Sequence, residues 1–318
     1  MDPLMTTTRT RPAPAAAAFL LSADELHVLE HRTPHILLPA AFRTEWGPEV
    51  SPSEIGERER RAVARLRDRR LLAPGDDALP TDLTASIDPD FAAFLSMPQF
   101  ATAAVDSSSW TLDRTAVQSV SVIGANALAL LRTQRVDHSD AAVAEHGRAA
   151  RDEDGVEIRA FESTGLAQQL LRPLSALHDV PDPRGRPREV VVLPLADAET
   201  LVLALRQDRP DVLAGVVAQL HSPHAAALLG GLAKRIDGGF RLDALSRLGS
   251  PARRWTDTWL RSSDGWVAVS VDTPDPNASG MDPGVLAEGA RVAVRAVRRA
   301  DIVAEVLTIA AQIQGARA

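Results

Sequence analysis

The chain has 318 residues, 45% hydrophobic and 24% charged, a composition of globular rather than disordered or fibrous proteins. A net charge of −7 argues against a chain-wide grip on nucleic acid. With no cysteine, disulfides, thiol catalysis and thiolate metal sites are excluded, and Lys234 is the single candidate for lysine chemistry.

Residues 1–17, rich in Thr, Arg and Pro, are expected to be a disordered leader outside the fold. The apolar runs Ala15–Leu21 and Val120–Leu131 are too short or too broken to insert in a membrane, and a cytoplasmic location is expected. Ser22-Ala23-Asp24-Glu25 has the form of a capping box opening a short helix that Pro34 stops. His35–Leu38 is extended. Ser53–Leu72 is the clearest helix, with Ile55, Val63, Leu66 and Leu71 in an apolar stripe and charged residues elsewhere. Phe91–Met97 is a short helical piece before Pro98.

Phe100–Trp110, Ala116–Ile123 and Ala127–Thr133 read as strands at hairpin spacing, with Gly124-Ala125-Asn126 as a tight turn. Gln134–Asp154 reads as a polar insertion. Val156–Glu162 is a fourth strand and Leu166–Leu177 an amphipathic helix. Asp179–Arg188 is a Pro- and Gly-rich connector. Beyond it come an apolar strand, Val190–Leu195, and a mainly helical block from Ala198 to about Leu248. Strands return at Arg254–Arg261 and Trp266–Asp272. After a loop at Asp272–Pro283, strand Ala290–Arg298 and helix Ile302–Ile313 close the chain.

That ending repeats an earlier one. Val156–Phe161 matches Val292–Val297 at an offset of 136, and the same offset carries Leu166, Leu170, Leu171 and Leu177 onto Ile302, Val306, Leu307 and Ile313. The reading is two similar halves, 18–178 and 189–318, joined by 179–188 and related by a pseudo-two-fold axis.

Motifs for chemistry are sparse. His27 and His31 have the i, i+4 spacing of metal ligands, but the order is not that of a zinc-protease helix, and surface histidines are the expectation. His221-Ser222-Pro223-His224 is equally weak. No nucleophile elbow, dinucleotide fingerprint or P-loop occurs. Asp76-Asp77 and Asp88-Pro89-Asp90 sit in predicted loops. No cofactor or metal is expected, and the chain is read as no enzyme. The arginine-rich helix 53–72 admits a winged-helix DNA-binding regulator as an alternative, although its acids can pair with its arginines. Trp255, Trp259 and Trp266 read as core, with a binding face as the alternative.

Taken in order, these features resemble the EspG family, the cytosolic substrate chaperones of type VII secretion in actinobacteria. The resemblance is carried by the opening Leu21–Leu26 and His35–Leu38, and by the helix Glu59–Leu72, with Arg70 where the family usually has Gly. Asp88–Leu95 with Pro98, the four strands and helix to Leu177, Asp264-Gly265-Trp266-Val267, and Val294–Ile313 complete it. It spans roughly residues 19–313.

The resemblance implies an α+β fold with a central antiparallel sheet flanked by helical bundles, and no catalysis. It also implies binding of a helical secreted protein or heterodimer, PE–PPE-like or WXG-like, with no nucleic acid as partner. The partner-binding residues it suggests are Ile123, Gly124 and Asn126 in the turn between second and third strands, and Leu213 and Val217 in the second half. For the last two, packing in the core is the competing reading. The cargo and the oligomeric state stay open.

Overall fold

A computed structural model describes residues 18–43, 46, 50–75, 79–137, 149–175, 177, 190–206, 209–219, 227–229, 236–248, 252–262, 265–272 and 288–315. The leader 1–17, Asp76-Asp77, the connector 179–188, His221–His224, Lys234 and most of the loop 272–283 lie outside the described residues.

Local sequence opens each helix of the first half. Helix α1, Ala23–Arg32, starts at the expected capping box: Ser22 Oγ accepts from the Glu25 amide at 3.3 Å, and the Ser22 amide donates to Glu25 Oε2 at 2.7 Å. Helix α2, Pro52–Asp68, is capped by Ser51 and has Pro52 at its first position. It buries Glu59, Ala62, Val63 and Leu66. It ends earlier than its periodicity suggests, because Arg70 takes a left-handed conformation with φ 61° and the Leu71 amide closes back on Leu66 O at 2.9 Å. Asp88 caps α3, Pro89–Ser96, and a 3-10 turn, Met97–Phe100, follows it.

The strands are β1 Ala18–Leu21, β2 Ala103–Thr111, β3 Arg114–Ile123, β4 Asn126–Asp137, β5 Ala149–Glu162, β6 Val190–Pro194, β7 Ile236–Ser246, β8 Arg253–Ser262, β9 Gly265–Asp272 and β10 Arg291–Val297. They form one ten-stranded antiparallel sheet in the order β1-β5-β4-β3-β2-β7-β8-β9-β10-β6. Further helices among the described residues are α4 Leu166–Leu170, α5 Arg172–Ser175, α6 Leu195–Arg206, α7 Pro210–Gln219 and α8 Arg299–Gly315. The expected α+β class with a large antiparallel sheet is what the chain adopts.

The strand order reads alike from either edge: β1-β5-β4-β3-β2 from one, β6-β10-β9-β8-β7 from the other. Each strand of the first half therefore has a counterpart in the second, and β2 and β7 meet at the seam. At its centre Ser107 pairs with Leu242, flanked by Gln118 on β3 and Asp257 on β8. The 136-residue repeat fits this symmetry. Leu166, Leu170 and Leu177 share one core with Ile302, Val306 and Ile313. Val156 and Ile158 enter a second core, and Val292 and Val294 a third.

Alternation along the strands sorts these cores onto two faces. Ala127 and Ala129 of β4 join the central core under α4, α5 and α8, while Leu128 and Leu130 point the other way, under α1–α3. Val267 of β9 does the same beneath α6 and α7. Each buried Leu, Val or Phe contributes about 1.5–3 kcal/mol, against about 0–1 kcal/mol for a surface ion pair. The apolar layers hold the helices on the sheet.

Four expectations need correction. The helical block does not reach Leu248: Ile236–Ser246 is strand β7, in which Phe240, Leu242 and Ala244 are buried around Arg241 and Asp243. The segment 134–154 is in part strand rather than insertion: β4 runs on to Asp137 and β5 begins at Ala149, the two paired to that point, while 138–148 lie outside the described residues. The helix 166–177 is two short pieces, since Pro173 cannot donate to the turn before it. His27 is not a surface histidine: it is buried, with its ring stacked on His31 at 3.9 Å and on Trp46 at 3.7 Å. Trp259 and Trp266 are fully buried in the central core, and Trp255 packs against it.

Candidate partner-binding site

The β3–β4 hairpin turns in two residues, Gly124 and Ala125, between the paired Ile123 and Asn126. Gly124 has φ +51°, which suits the first central position of a tight hairpin turn and strains any residue with a Cβ. Gly124, Ala125 and Asn126 are exposed and Ile123 is half-buried. The turn is tied to its surroundings: the Ser163 amide donates to Ala125 O at 2.8 Å, and Gln314 Nε2, near the end of α8, donates to Ser163 O at 2.5 Å.

Beside this tip lies a cavity of about 250 Å³, lined by Ala93, Phe94 and Met97 from α3 and the turn after it, Ile123, Asn126 and Ala127 from the hairpin, and Ala160, Phe161 and Glu162 from β5. Most of its lining is apolar. Phe100, at the end of the 3-10 turn that packs against β3, is 68% exposed, the most exposed of the large apolar side chains described. Met97, at the start of the same turn, lines the hollow, and an apolar hollow bordered by Asn126 and Glu162 has the anatomy of an interface, an apolar centre with a polar rim.

The sequence-derived residues divide. Ile123 and Asn126 line this cavity and Gly124 lies in the turn between them. Leu213 and Val217 are half-buried on α7 and pack against the core of the second half, away from this lining. Phe94, Met97 and Phe100 were not singled out in the sequence. Their signal was the run Phe94-Leu95-Ser96-Met97-Pro98-Gln99-Phe100, in which Pro98 prevents Phe100 from joining the helix, and the strand starts only at Ala103.

A second, larger cleft of about 660 Å³ sits beside the start of α1, lined by Leu20, Ser22, Asp24, Glu25, Arg65, Asp68 and Arg69 among others. Two of its charges, Glu25 and Arg69, have structural work. Glu25 is buried, closes the capping box and accepts from Arg69 Nη1 at 3.3 Å. Similar pairing runs along α2, where Arg58 bonds Glu54 at 2.6 Å, Arg61 lies 3.9 Å from Glu57, and Glu59 accepts from Arg32 at 2.5 Å. The apolar side of α2 thus lies in the core, and three of its acids, Glu54, Glu57 and Glu59, are paired with arginines. Among the described residues no cluster of three or more metal-ligating side chains occurs, and no helix is long and apolar enough to cross a membrane.

No family model matches the chain, and no curated protein does. Among solved structures the chain is similar in fold to the type VII secretion system chaperone EspG5 of Mycobacterium tuberculosis, solved in complex with the PE25–PPE41 dimer. The TM-score is 0.53 at 11% sequence identity, over 93% of this chain and 96% of that one. The likeness thus spans both halves of the sheet, and at this identity it is a likeness of fold.

Proposed function

We propose that this chain is a non-catalytic cytosolic chaperone that binds a helical secretion cargo, of the PE–PPE heterodimer kind, and keeps it soluble for type VII export. The observation that carries this reading is the apolar cavity at the β3–β4 hairpin, together with the exposed Phe100 at the far end of the 3-10 turn whose first residue, Met97, lines it, on a fold similar over nearly its whole length to a chaperone of such a dimer. The cavity takes an apolar side chain projecting from the end of a helical bundle. Phe100 supplies the aromatic anchor that dominates such contacts, and Asn126 and Glu162 supply the rim.

The test is titration of a purified PE–PPE heterodimer into the chain by calorimetry, repeated with Phe100→Asp and Ile123→Asp. Binding to the parent and at least a tenfold loss in each variant are expected, because a charge forced against an apolar pocket cannot be solvated there. Equal affinity in parent and variants would remove this tip as the site.

A further inference from the structure

Strand β6, Val190–Pro194, is one edge of the ten-stranded sheet, and its inner side pairs with β10. The Leu195 amide, one residue past the strand, donates to Ala290 O at 3.2 Å, and this pair continues the register that sets Pro194 opposite Arg291. Hydrogen-bonded pairs alternate along an antiparallel ladder, so Leu193 and Val191 also turn their backbone groups toward β10. Val190, Val192 and Pro194 turn theirs outward. Pro194 therefore lacks its donor on the free side, where no ladder bond is lost. No described strand pairs with that side.

The same residues expose apolar side chains. Val190 and Val192 are 52% and 54% exposed, whereas Val191 and Leu193 are buried. The helix that follows, α6, packs on β6 and β10 and also exposes Val202 and Leu203. An open edge is a template for pairing with another chain, and charge beside the strand guards against it. The opposite edge, β1, has that guard: its exposed Leu20 lies in a cleft with Arg65, Asp68 and Arg69. Strand β6 carries no charged residue. Pro194 removes one outward donor at its end and leaves those of Val190 and Val192.

We propose that β6 pairs with β6 of a second copy, antiparallel about a two-fold axis, so that the sheets of the two chains become continuous. The outward amides and carbonyls of Val190 and Val192 bond across the axis, and their exposed side chains pair on one face. On the other face the two copies of α6 come side by side, adding apolar surface to a strand only about 17 Å long. The strand suits its own copy: with no charge on β6, pairing it with itself opposes no like charges. The nearest charges in the same cross-strand rows are Arg291 and Arg295 on β10. Their backbones stand at least about 14 Å from those of their copies, beyond a screening length of about 8 Å. Pairing β6 with β1 of another copy would set the valines beside the charged cleft and would not close, whereas the two-fold pair closes. The contact lies at the edge of the second half and leaves the β3–β4 hairpin of each copy uncovered.

The test is sedimentation equilibrium of the full chain from low micromolar to submillimolar concentration, with amide hydrogen exchange on the same samples. The mass should rise from 34.0 kDa toward twice that value. The Val190 and Val192 amides should exchange at least about tenfold more slowly in the concentrated sample. Those of Val191 and Leu193, already turned to β10, should be protected throughout. Val192→Lys places a charge on the joined edge and should weaken association at least tenfold, while Leu20→Lys on β1 should leave it unchanged. A mass of 34.0 kDa at every concentration would overturn the pairing. So would exchange at Val190 and Val192 that does not depend on concentration, as when another part of the same chain covers the edge. Association that survives Val192→Lys, or that is lost in Leu20→Lys, would also contradict it. The exchange measurement needs only the parent, so it decides the matter whether or not Val192→Lys folds.

Discussion

Ser107 of β2 and Leu242 of β7 face each other across the seam at which the two halves of the sheet are joined. Both are buried, at 3% and 0% exposure, and Leu242 belongs to the central core that α4, α5 and α8 share. The halves are thus built on one continuous sheet and one continuous apolar layer. Leu242→Ala should cost about 2–5 kcal/mol. Urea unfolding followed by tryptophan fluorescence should coincide with that followed by circular dichroism, because Trp110 belongs to the first half and Trp255, Trp259 and Trp266 to the second. Two separate transitions would show halves that fold independently.

The capping box of α1 gives a second prediction. Ser22→Ala removes the acceptor for the Glu25 amide and should destabilise the chain by about 1 kcal/mol. The effect should appear as a lower urea midpoint with an unchanged slope.

Gly155 gives a third. Its φ is +81°, and a Cβ there would run into Leu21 O, where β5 runs against the end of β1. Gly155→Ala should force β1 away from β5. The readout is faster hydrogen exchange at residues 18–21 than in the parent, with exchange at the seam between β2 and β7 unchanged.

A fourth concerns acid. Glu157 accepts from Arg172 at 3.0 and 2.9 Å and from Arg159 at 3.1 Å. The hydrogen bonds from Arg172 lead in holding its carboxyl below the usual range, against a smaller effect of burial. A depressed folded-state value stabilises the fold above the ordinary carboxylate pKa, and the contribution is lost as pH falls through the depressed value. Arg172→Met should therefore lower stability modestly at pH 7, within about 1 kcal/mol for so exposed a pair. The difference from the parent should vanish in acid.

Much of this architecture was legible in the residues. Capping at Ser22 and the hairpin spacing around Gly124 are local signals, and the structure follows them. The repeat could be read because Val156 and Ile158 against Val292 and Val294 keep the same alternation on strands with the same neighbours. Strand β1 could not: its four residues pair with Arg159 through Val156, far along the chain, and no local pattern announces such a partner. Strand β7 was masked by Leu242-Asp243-Ala244-Leu245, whose apolar spacing of three suits a helix as well as a strand, and only pairing with β2 decides it. At the candidate site the turn residues were found from the hairpin, but Phe100 was read into a strand. Its exposure depends on how the 3-10 turn packs on β3, a tertiary fact.

Whether the chain grips helical cargo at the β3–β4 tip is decided by one comparison. A PE–PPE heterodimer is titrated into the parent chain, into Phe100→Asp, and into Val271→Asp, an equally drastic change at an exposed apolar residue on β9 away from the tip. Binding by the parent and by Val271→Asp is expected, with affinity reduced at least tenfold in Phe100→Asp while all three stay folded. Undiminished binding by Phe100→Asp, or no binding by the well-folded parent, would contradict it.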